Sequence, residues 1–92
     1  MSVYVVVEFN PKDAEKLQAY SAAALEIIAN YQGDFLAKGQ PQQLCGESGY
    51  KMQGIIAFPT QELAEAWYNS PEYQALIPLR DQGMDAHFQL IG

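Results

Sequence analysis

The sequence contains one cysteine, one histidine and one arginine, and these scarcities exclude several kinds of site. Cys45 forms no disulfide within the chain and supplies no cysteine cluster for a metal ion. His87 alone excludes a multi-histidine metal site within one chain, so we expect no metal centre. A small domain without a disulfide is typical of a reducing compartment, which predicts a cytoplasmic protein. Cys45 has no cation or base near it in sequence, so we interpret it as incidental rather than reactive.

Basic residues and long apolar runs are also scarce. Eleven acidic residues against five basic ones give a net charge of −6, which excludes a dominant basic patch. Nucleic acid and anionic membrane surfaces are therefore poor candidates as partners. No apolar run approaches the length of a membrane span, and the apolar run at residues 3–9 has no basic region before it, so we predict neither a span nor a signal peptide. The glycines at 46 and 49 lack the spacing of a phosphate-binding loop, and we expect no cofactor.

What the chain has is apolar residues in a short length. Its 92 residues predict one domain, residues 1–92, and 49% of them are hydrophobic. A chain of this size hides roughly 60–65% of its extended surface on folding, which gives one thin core. The apolar content exceeds what so thin a core requires, and this favours burial of further surface against a second copy.

The first half of the chain reads as a strand, a helix and a second strand. Residues 3–9 are β-branched and aromatic, which predicts a central strand. Asn10 suits the helix N-cap and Pro11 the first helical position. Apolar residues then recur every three or four positions to about residue 31, and Gly33 is expected to end the helix in a left-handed conformation. A short strand follows at residues 34–38.

The second half reads as strand, helix and strand after a polar loop at residues 39–49. Residues 50–58 alternate as a strand. Thr60 is expected to cap a helix, and Ser70 with Pro71 to restart it as a third helical segment that ends at Gly83. Residues 84–90 alternate between apolar and polar side chains, which predicts a half-buried fourth strand.

This order, β-α-β-β-α-β, predicts an α+β ferredoxin-like fold with a four-stranded antiparallel sheet. The helices cover one face of such a sheet. The other face is also partly apolar here, through Tyr4, Val6 and Ile55, and so large an exposed patch needs a cover. The sequence therefore predicts a homodimer in which a second copy covers that face and completes a dimeric α+β barrel.

Three segments carry a resemblance to a known family: residues 31–39, residues 58–60, and above all the Trp-Tyr-Asn-Ser-Pro-Glu-Tyr-Gln sequence at residues 67–74, followed by Arg80. They resemble the domain-of-unknown-function 1330 family of small dimeric α+β barrel proteins, over nearly the whole chain. The resemblance implies the fold and dimerisation but no agreed reaction. Similar barrels include cofactor-free monooxygenases, isomerases and sensor modules, which is an analogy of fold only.

Arg80 is the first candidate for a functional residue. Its spacing from Tyr73 and Leu76 places it on their inward-facing stripe. A buried guanidinium needs a carboxylate, from the protein or from a ligand. The alternative is a side chain that packs its stem, exposes its head and complements the C-terminal end of its helix.

Glu8 and His87 form the second candidate. The first and fourth strands pair antiparallel in this topology, and matching the helix-side parities of Val7 and Phe88 places Glu8 either directly opposite His87 or, after a two-residue slip, diagonal to it. Both would lie on the sheet face away from the helices, toward the barrel interior. A carboxylate beside a histidine can move a proton or hold a polar ligand, which makes this the candidate catalytic pair. The alternative is an ordinary cross-strand pair at a wet strand end.

Aromatic residues on the helices form the third candidate. Tyrosines with a polar tip can line a pocket for a planar, partly polar ligand. The residues concerned are Tyr20, Tyr31, Trp67, Tyr68 and Tyr73. The alternative is that they are core with satisfied hydroxyl groups. Trp67 and Tyr68 are consecutive, so one of the two faces solvent, a partner or a pocket.

Three functions remain open at this level. The first is a homodimer that binds a small carboxylate or a phenolic or quinone-like molecule between sheet and helices, with or without cofactor-free acid–base chemistry. In that case Arg80 grips the anion, and Glu8 or His87 transfers the proton. The second is a non-catalytic, stress-related accessory dimer, and the third is a structural module without a ligand site.

Overall fold

The computed structural model describes residues 2–92 and has the predicted order of elements. Four strands form one antiparallel sheet in the order β2-β3-β1-β4. They are β1 (Val3–Pro11), β2 (Asp34–Gly39), β3 (Met52–Phe58) and β4 (Met84–Ile91). The helices are α1 (Ala14–Asn30), α2 (Gln61–Asn69), α3 (Pro71–Gln74) and α4 (Ile77–Gly83). The prediction of a ferredoxin-like α+β fold is therefore confirmed.

The core lies between the helices and one face of the sheet. Burial alternates along β1, where odd-numbered residues such as Val5 and Val7 are buried and even-numbered ones are half-buried. The buried strand residues pack with Tyr20 and Ile28 of α1 and with Trp67 of α2. This alternation is the period-2 pattern of a sheet whose two faces have different environments.

The face of the sheet that is turned away from the helices, here called the open face, carries the even-numbered residues of β1 and is partly apolar. Tyr4 pairs with Ala57, and Val6 pairs with Ile55, across β1 and β3. No helix of the described residues packs on this side, because the helix-facing residues are those of the buried parity. The sheet thus presents a half-buried apolar surface away from its helices.

The start of α1 differs from the sequence-based expectation. The first strand continues to Pro11, which pairs with Met84 of β4, so the helix begins later. Its N-cap is Asp13, whose side chain accepts a hydrogen bond from the backbone N–H of Lys16 at 3.1 Å. Asn10, which was expected to cap the helix, instead holds the loop before β3 through hydrogen bonds with Gly49 and Lys51.

The end of α1 also differs. The residue with positive φ is Gln32, at 65°, and not Gly33. Gly33 is required for a different reason, since a Cβ atom there would lie 2.6 Å from Ile28 Cγ2 and 2.6 Å from Phe58 Cε1. Close approach, rather than a left-handed backbone, explains this glycine.

Residues 71–83 form two helices instead of one. Ser70 caps α3 through its hydroxyl, which accepts from the Tyr73 N–H at 3.1 Å, as expected. The chain then breaks before α4, where Pro78 lies in the first turn. Proline has no N–H to continue a helical ladder, so a separate helix starts there. This break sets the position of Arg80 relative to Tyr73.

Candidate ligand-binding site

A cavity of about 470 Å³ lies between the helix-facing side of the sheet and α1. Its volume is within the range of small-molecule sites, about 300–1,000 Å³. Its floor is formed by Val7, Gly54, Ile56 and Phe88, its helical wall by Tyr20, Ser21, Ala24 and Ile28, and one end by Trp67. Most of these side chains are apolar, so the cavity suits an apolar body.

The cavity floor has room because of one glycine. Gly54 is buried in β3 on the helix-facing side. A Cβ atom there would lie 3.4 Å from Phe35 Cε1 and 4.0 Å from Lys38 Cγ, which is ordinary contact distance. A Cβ atom at this position is therefore accommodated at contact distance, and any larger side chain extends into the space between Phe35 and Lys38.

The cavity opens along β2, where apolar side chains are exposed. Leu25 is 55% exposed, Phe35 38% and Leu36 56%, and all three line the cavity. The pairing of β2 with β3 shifts between Phe35 and Ala37, a bulge that turns consecutive side chains toward this side. An exposed apolar rim of this kind marks an interaction site more often than a random surface does.

Trp67 contributes a buried polar atom with no partner. The residue is 1% exposed, and among residues 2–92 its Nε1 finds no hydrogen-bond acceptor. Its ring lies at 4.6 Å from that of Tyr73 and at 5.7 Å, edge to face, from that of Tyr68. Buried donors are nearly always satisfied, so an unsatisfied one in a cavity wall needs an explanation.

A chain of hydrogen bonds runs from the cavity wall to the surface. The hydroxyls of Tyr20 and Tyr73 share a hydrogen bond of 2.6 Å. Arg80 Nη1 donates to the Tyr73 hydroxyl at 3.3 Å and to the Tyr68 hydroxyl at 3.1 Å. Four of the residues singled out in the sequence thus meet in one cluster, between α1, α2, α3 and α4.

Tyr20, Tyr73 and Arg80 keep their protons near neutral pH. Burial raises the pKa of Tyr20, with the nearby Tyr73 adding to the effect. Burial also raises the pKa of Tyr73, although its hydrogen bonds with Tyr20 and Arg80 act in the opposite sense. Burial lowers the pKa of Arg80, but its hydrogen bonds with Tyr68 and Tyr73 outweigh this and the net pKa is raised. Tyr20, Tyr73 and Arg80 therefore do not act as bases near neutral pH.

Arg80 does not line the main cavity. Its side chain is 13% exposed, and its Nε donates to Asp81 at 3.1 Å. Its guanidinium lies 5.0 Å from the centre of the Phe88 ring. Asp81 supplies the carboxylate, and Tyr68 and Tyr73 supply the acceptors, that a buried guanidinium needs.

Tyr68 faces a second, smaller groove. This groove has a volume of about 330 Å³ and lies between α2 and β4, with Trp67 and Phe88 shared between the two cavities. Trp67 is buried whereas Tyr68 is half-buried. The two consecutive aromatics therefore do face different surroundings.

Glu8 and His87 lie on the opposite face of the sheet. They are directly paired between β1 and β4, which is one of the two registers that the matched parities allow. His87 Nδ1 lies 3.5 Å from Glu8 Oε1, and the His87 and Glu8 side chains are 48% and 26% exposed. Ser48 donates to Glu8 at 3.1 Å, and the Tyr50 ring stacks on His87 at 6.3 Å. The sheet separates this pair from the cavity and from Arg80.

The structure thus divides the predicted site residues into two groups. Tyr20 and Trp67 line the main cavity, and Tyr68, Tyr73 and Arg80 support them from behind. Glu8 and His87 lie together on the other face of the sheet. Lys38 and Gly54 are among the cavity residues that sequence reasoning missed, because the bulge in β2 and the missing side chain in β3 leave no mark in the alternation of apolar residues.

Residues 2–92 contain neither a candidate membrane-spanning helix nor a candidate metal site. No helix among them is long and apolar enough to cross a membrane. No three histidine, cysteine, aspartate or glutamate side chains in this part of the chain gather closely enough to hold a metal ion.

The architecture is that of the ferredoxin-like proteins, several of which are described as dimeric. A family model described as "Domain of unknown function (DUF1330)" matches residues 2–92. The chain belongs to this family, as the segments at residues 31–39 and 67–74 indicated. Among curated proteins, no sequence matches it.

Solved structures with this fold share little sequence with the chain. A protein of unknown function from Rhodopseudomonas palustris has a TM-score of 0.80 and 13% identity, over 98% of this chain and 80% of its own. SnoaB, a cofactor-independent oxygenase from Streptomyces nogalater, has a TM-score of 0.73 and 12% identity, over 99% and 91%. A dimeric ferredoxin-like protein of unknown function from Jannaschia sp. CCS1 has 0.68 and 14%, over 97% and 98%. These similarities establish the fold alone.

Proposed function

We propose that this protein binds a small organic molecule in the cavity between its sheet and helices. The observation that carries the proposal is the cavity itself: it has a volume of about 470 Å³, its walls are mostly apolar, and the buried ring of Trp67 closes one end. A planar body with an oxygen, as in a phenol, a quinone or an aromatic carboxylate, fits such walls.

Binding is better supported than acid–base chemistry in this cavity. Proton transfer near neutral pH needs a group that changes its charge there. Among the described residues that line the cavity, none is a histidine or a carboxylate, and the Tyr20 hydroxyl has a raised pKa.

The cavity proposal is tested through Trp67, the single tryptophan of the chain. Its indole ¹H–¹⁵N signal is one peak, recorded while phenols, quinones and aromatic carboxylates are added. We expect a ligand whose ring lies against Trp67 to move this signal, because an adjacent aromatic ring changes the magnetic environment of the indole proton. A signal that no compound moves would refute binding beside Trp67.

Gly54 supplies the matched variants for the same experiment. Gly54→Leu fills the cavity floor and is expected to abolish binding. Gly39→Leu adds the same side chain in β2, where a Cβ atom meets nothing within 4 Å, and is expected to leave binding unchanged. If Gly54→Leu fails to fold, Ser21→Leu occupies the helical wall of the same cavity. Equal binding by wild-type and filled variants would refute the location.

We further propose that a second copy of this chain covers the open sheet face. The support is the apolar parity of that face, through Tyr4, Val6 and Ile55, together with relatives of this fold that are described as dimeric. Val6→Lys places a charge at the centre of the face and is expected to produce monomers in light scattering. A wild-type protein that is monomeric at micromolar concentration would refute the homodimer.

The proton-transfer role of Glu8 and His87 is a separate proposal, because the pair lies on that open face. The 3.5 Å separation of His87 Nδ1 and Glu8 Oε1 supports it. NMR spectra of the His87 ring test the contact: its signals are expected to move in Glu8→Gln. Identical ring signals in both proteins would refute the pairing in solution.

We propose a cytoplasmic location, because a reducing compartment suits an exposed free Cys45.

A further inference from the structure

The cavity has a charged group at its mouth that the proposed function does not use. Lys38 is the one cationic side chain among the described residues lining the cavity, and no aspartate or glutamate lines it. The protein as a whole carries a net charge of −6. Lys38 makes the mouth of the cavity locally positive although the protein as a whole is acidic, and this local charge attracts an anion.

The backbone register directs Lys38 toward the cavity. Lys38 pairs with Gly54, and Gly54 pairs with Val7, so the three residues form one row across the helix-facing side of the sheet. Because Gly54 has no side chain, the Lys38 stem lies over it, with Cγ at 4.0 Å from the position of a Cβ atom. The lysine thus reaches over the cavity floor from the edge strand.

The Lys38 ammonium lies near two aromatic rings and not beside a carboxylate of the described residues. Nζ lies 5.9 Å from the centre of the Phe9 ring and 6.0 Å from that of Phe35. No ion pair within 4.0 Å involves it among residues 2–92, whereas Lys12 and Arg80 both have aspartate partners. Its charge is therefore available to a ligand.

The mouth around Lys38 is otherwise apolar, through the exposed side chains of Leu25, Phe35 and Leu36. A ligand that satisfies both features has an apolar body and a single anionic group at one end. A dianion or a sugar phosphate would leave charge or hydroxyl groups against apolar walls, which is unfavourable.

We propose that Lys38 is the specificity-determining residue of the site and selects amphiphilic monoanions, that is, aromatic carboxylates or phenolates, with the anionic group at the mouth and the apolar body inside. This inference rests on the proposed binding function. It also reassigns the role expected of Arg80, because the Arg80 guanidinium is already bonded to Asp81, Tyr68 and Tyr73 and does not line the cavity.

The test compares a charged probe with its neutral counterpart. 2-Naphthoate and 2-naphthamide have the same ring system, and calorimetry measures the affinity of each for the full chain. Lys38→Met removes the charge and keeps the apolar part of the side chain, whereas Lys38→Arg keeps the charge. Lys51→Met is the control: it has the same net charge as Lys38→Met but changes an exposed position outside the cavity.

We expect Lys38→Met to weaken 2-naphthoate binding by about five- to tenfold, the range for a partly exposed charged hydrogen bond. The affinity for 2-naphthamide is expected to change by less than twofold, and Lys38→Arg and Lys51→Met to retain wild-type affinity for both probes. High salt is expected to reduce the preference for the anion.

The outcomes separate the two proposals. If both probes bind and move the Trp67 indole signal, but Lys38→Met weakens them equally or not at all, the cavity binds ligands and the role of Lys38 is refuted. If neither probe, nor any other phenol, quinone or carboxylate, affects Trp67, the binding function itself fails.

Discussion

Tyr73→Phe tests how the cluster behind the cavity is held together. The Tyr73 ring is 0% exposed, and its hydroxyl bridges Tyr20 at 2.6 Å and Arg80 at 3.3 Å. Removing it leaves the buried Tyr20 hydroxyl without its partner, which costs about 1–3 kcal/mol. Loss of the longer bond from Arg80 adds about 0.5–1.5 kcal/mol. We therefore expect a loss of about 2–4 kcal/mol in the free energy of unfolding.

Tyr20→Phe is the comparison that distinguishes a bridge from a simple contact. It leaves the Tyr73 hydroxyl bonded to Arg80, so we expect a loss of only about 0.5–1.5 kcal/mol. The double variant replaces both hydroxyls with apolar edges and is expected to be no less stable than Tyr73→Phe alone, because the unsatisfied Tyr20 hydroxyl is gone. The two single effects therefore do not add.

Urea unfolding followed by circular dichroism measures these differences at one fixed protein concentration, since a dimer makes stability depend on concentration. Tyr31→Phe, which removes a hydroxyl with no hydrogen bond among the described residues, is the control. The thermal midpoint is expected to fall by roughly 4–8 °C per kcal/mol. A Tyr73→Phe variant within about 0.5 kcal/mol of Tyr31→Phe would refute the bridging role.

Three further predictions concern pH and the backbone. Because burial raises the pKa values of Tyr20 and Tyr73 above the ordinary 10.0, the unfolded chain releases these protons first. The contribution of these tyrosines is thus fully present below about pH 10 and lost above it, by about 1.4 kcal/mol per pH unit for each. Stability measured against pH is expected to fall less steeply in Tyr20→Phe, and an equal slope would contradict the burial argument. Gly33→Ala is expected to cost about 1–3 kcal/mol through overpacking, while Gly39→Ala, with nothing within 4 Å, stays within about 0.5 kcal/mol; similar losses at both would refute the packing explanation. Asp13→Ala is expected to lower the free energy of unfolding by about 1 kcal/mol through the lost cap, which urea unfolding measures. No loss would show that the Asp13 side chain does not stabilise the start of α1.

The fold was predictable because its signals are local and mutually consistent. Val7 and Phe88 share a parity, which limited Glu8 and His87 to a direct or a diagonal pair, and the structure has the direct pair. Thr60 and Ser70 act as caps where short polar residues precede helical segments. Such signals depend on residues close in sequence, which is why they can be read without a structure.

The errors in the fold came from competition between local signals and distant contacts. Asn10 and Pro11 form a plausible helix start, but strand pairing of Pro11 with Met84 extends β1 and moves the cap to Asp13. Gly33 looked like a left-handed terminator, whereas the neighbouring Gln32 has that backbone and Gly33 makes room for Phe58. Neither contact is visible in the local sequence.

The candidate site was predictable only in part, for a related reason. Tyr20, Tyr73 and Arg80 were selected by helical spacing, and they do meet. Their hydrogen bonding to one another, which occupies Arg80, depends on the break that separates α3 from α4. Lys38 reaches the cavity because of a bulge in β2 and a missing side chain at Gly54, and no periodic pattern reveals either feature.

A crystal structure of the protein with 2-naphthoate tests the account most directly. We predict density for the naphthyl ring in the cavity between β3 and α1, with the carboxylate within hydrogen-bond distance of Lys38 Nζ. An empty cavity at saturating probe, or a probe whose carboxylate lies against Arg80 or on the open sheet face beside His87, would contradict it.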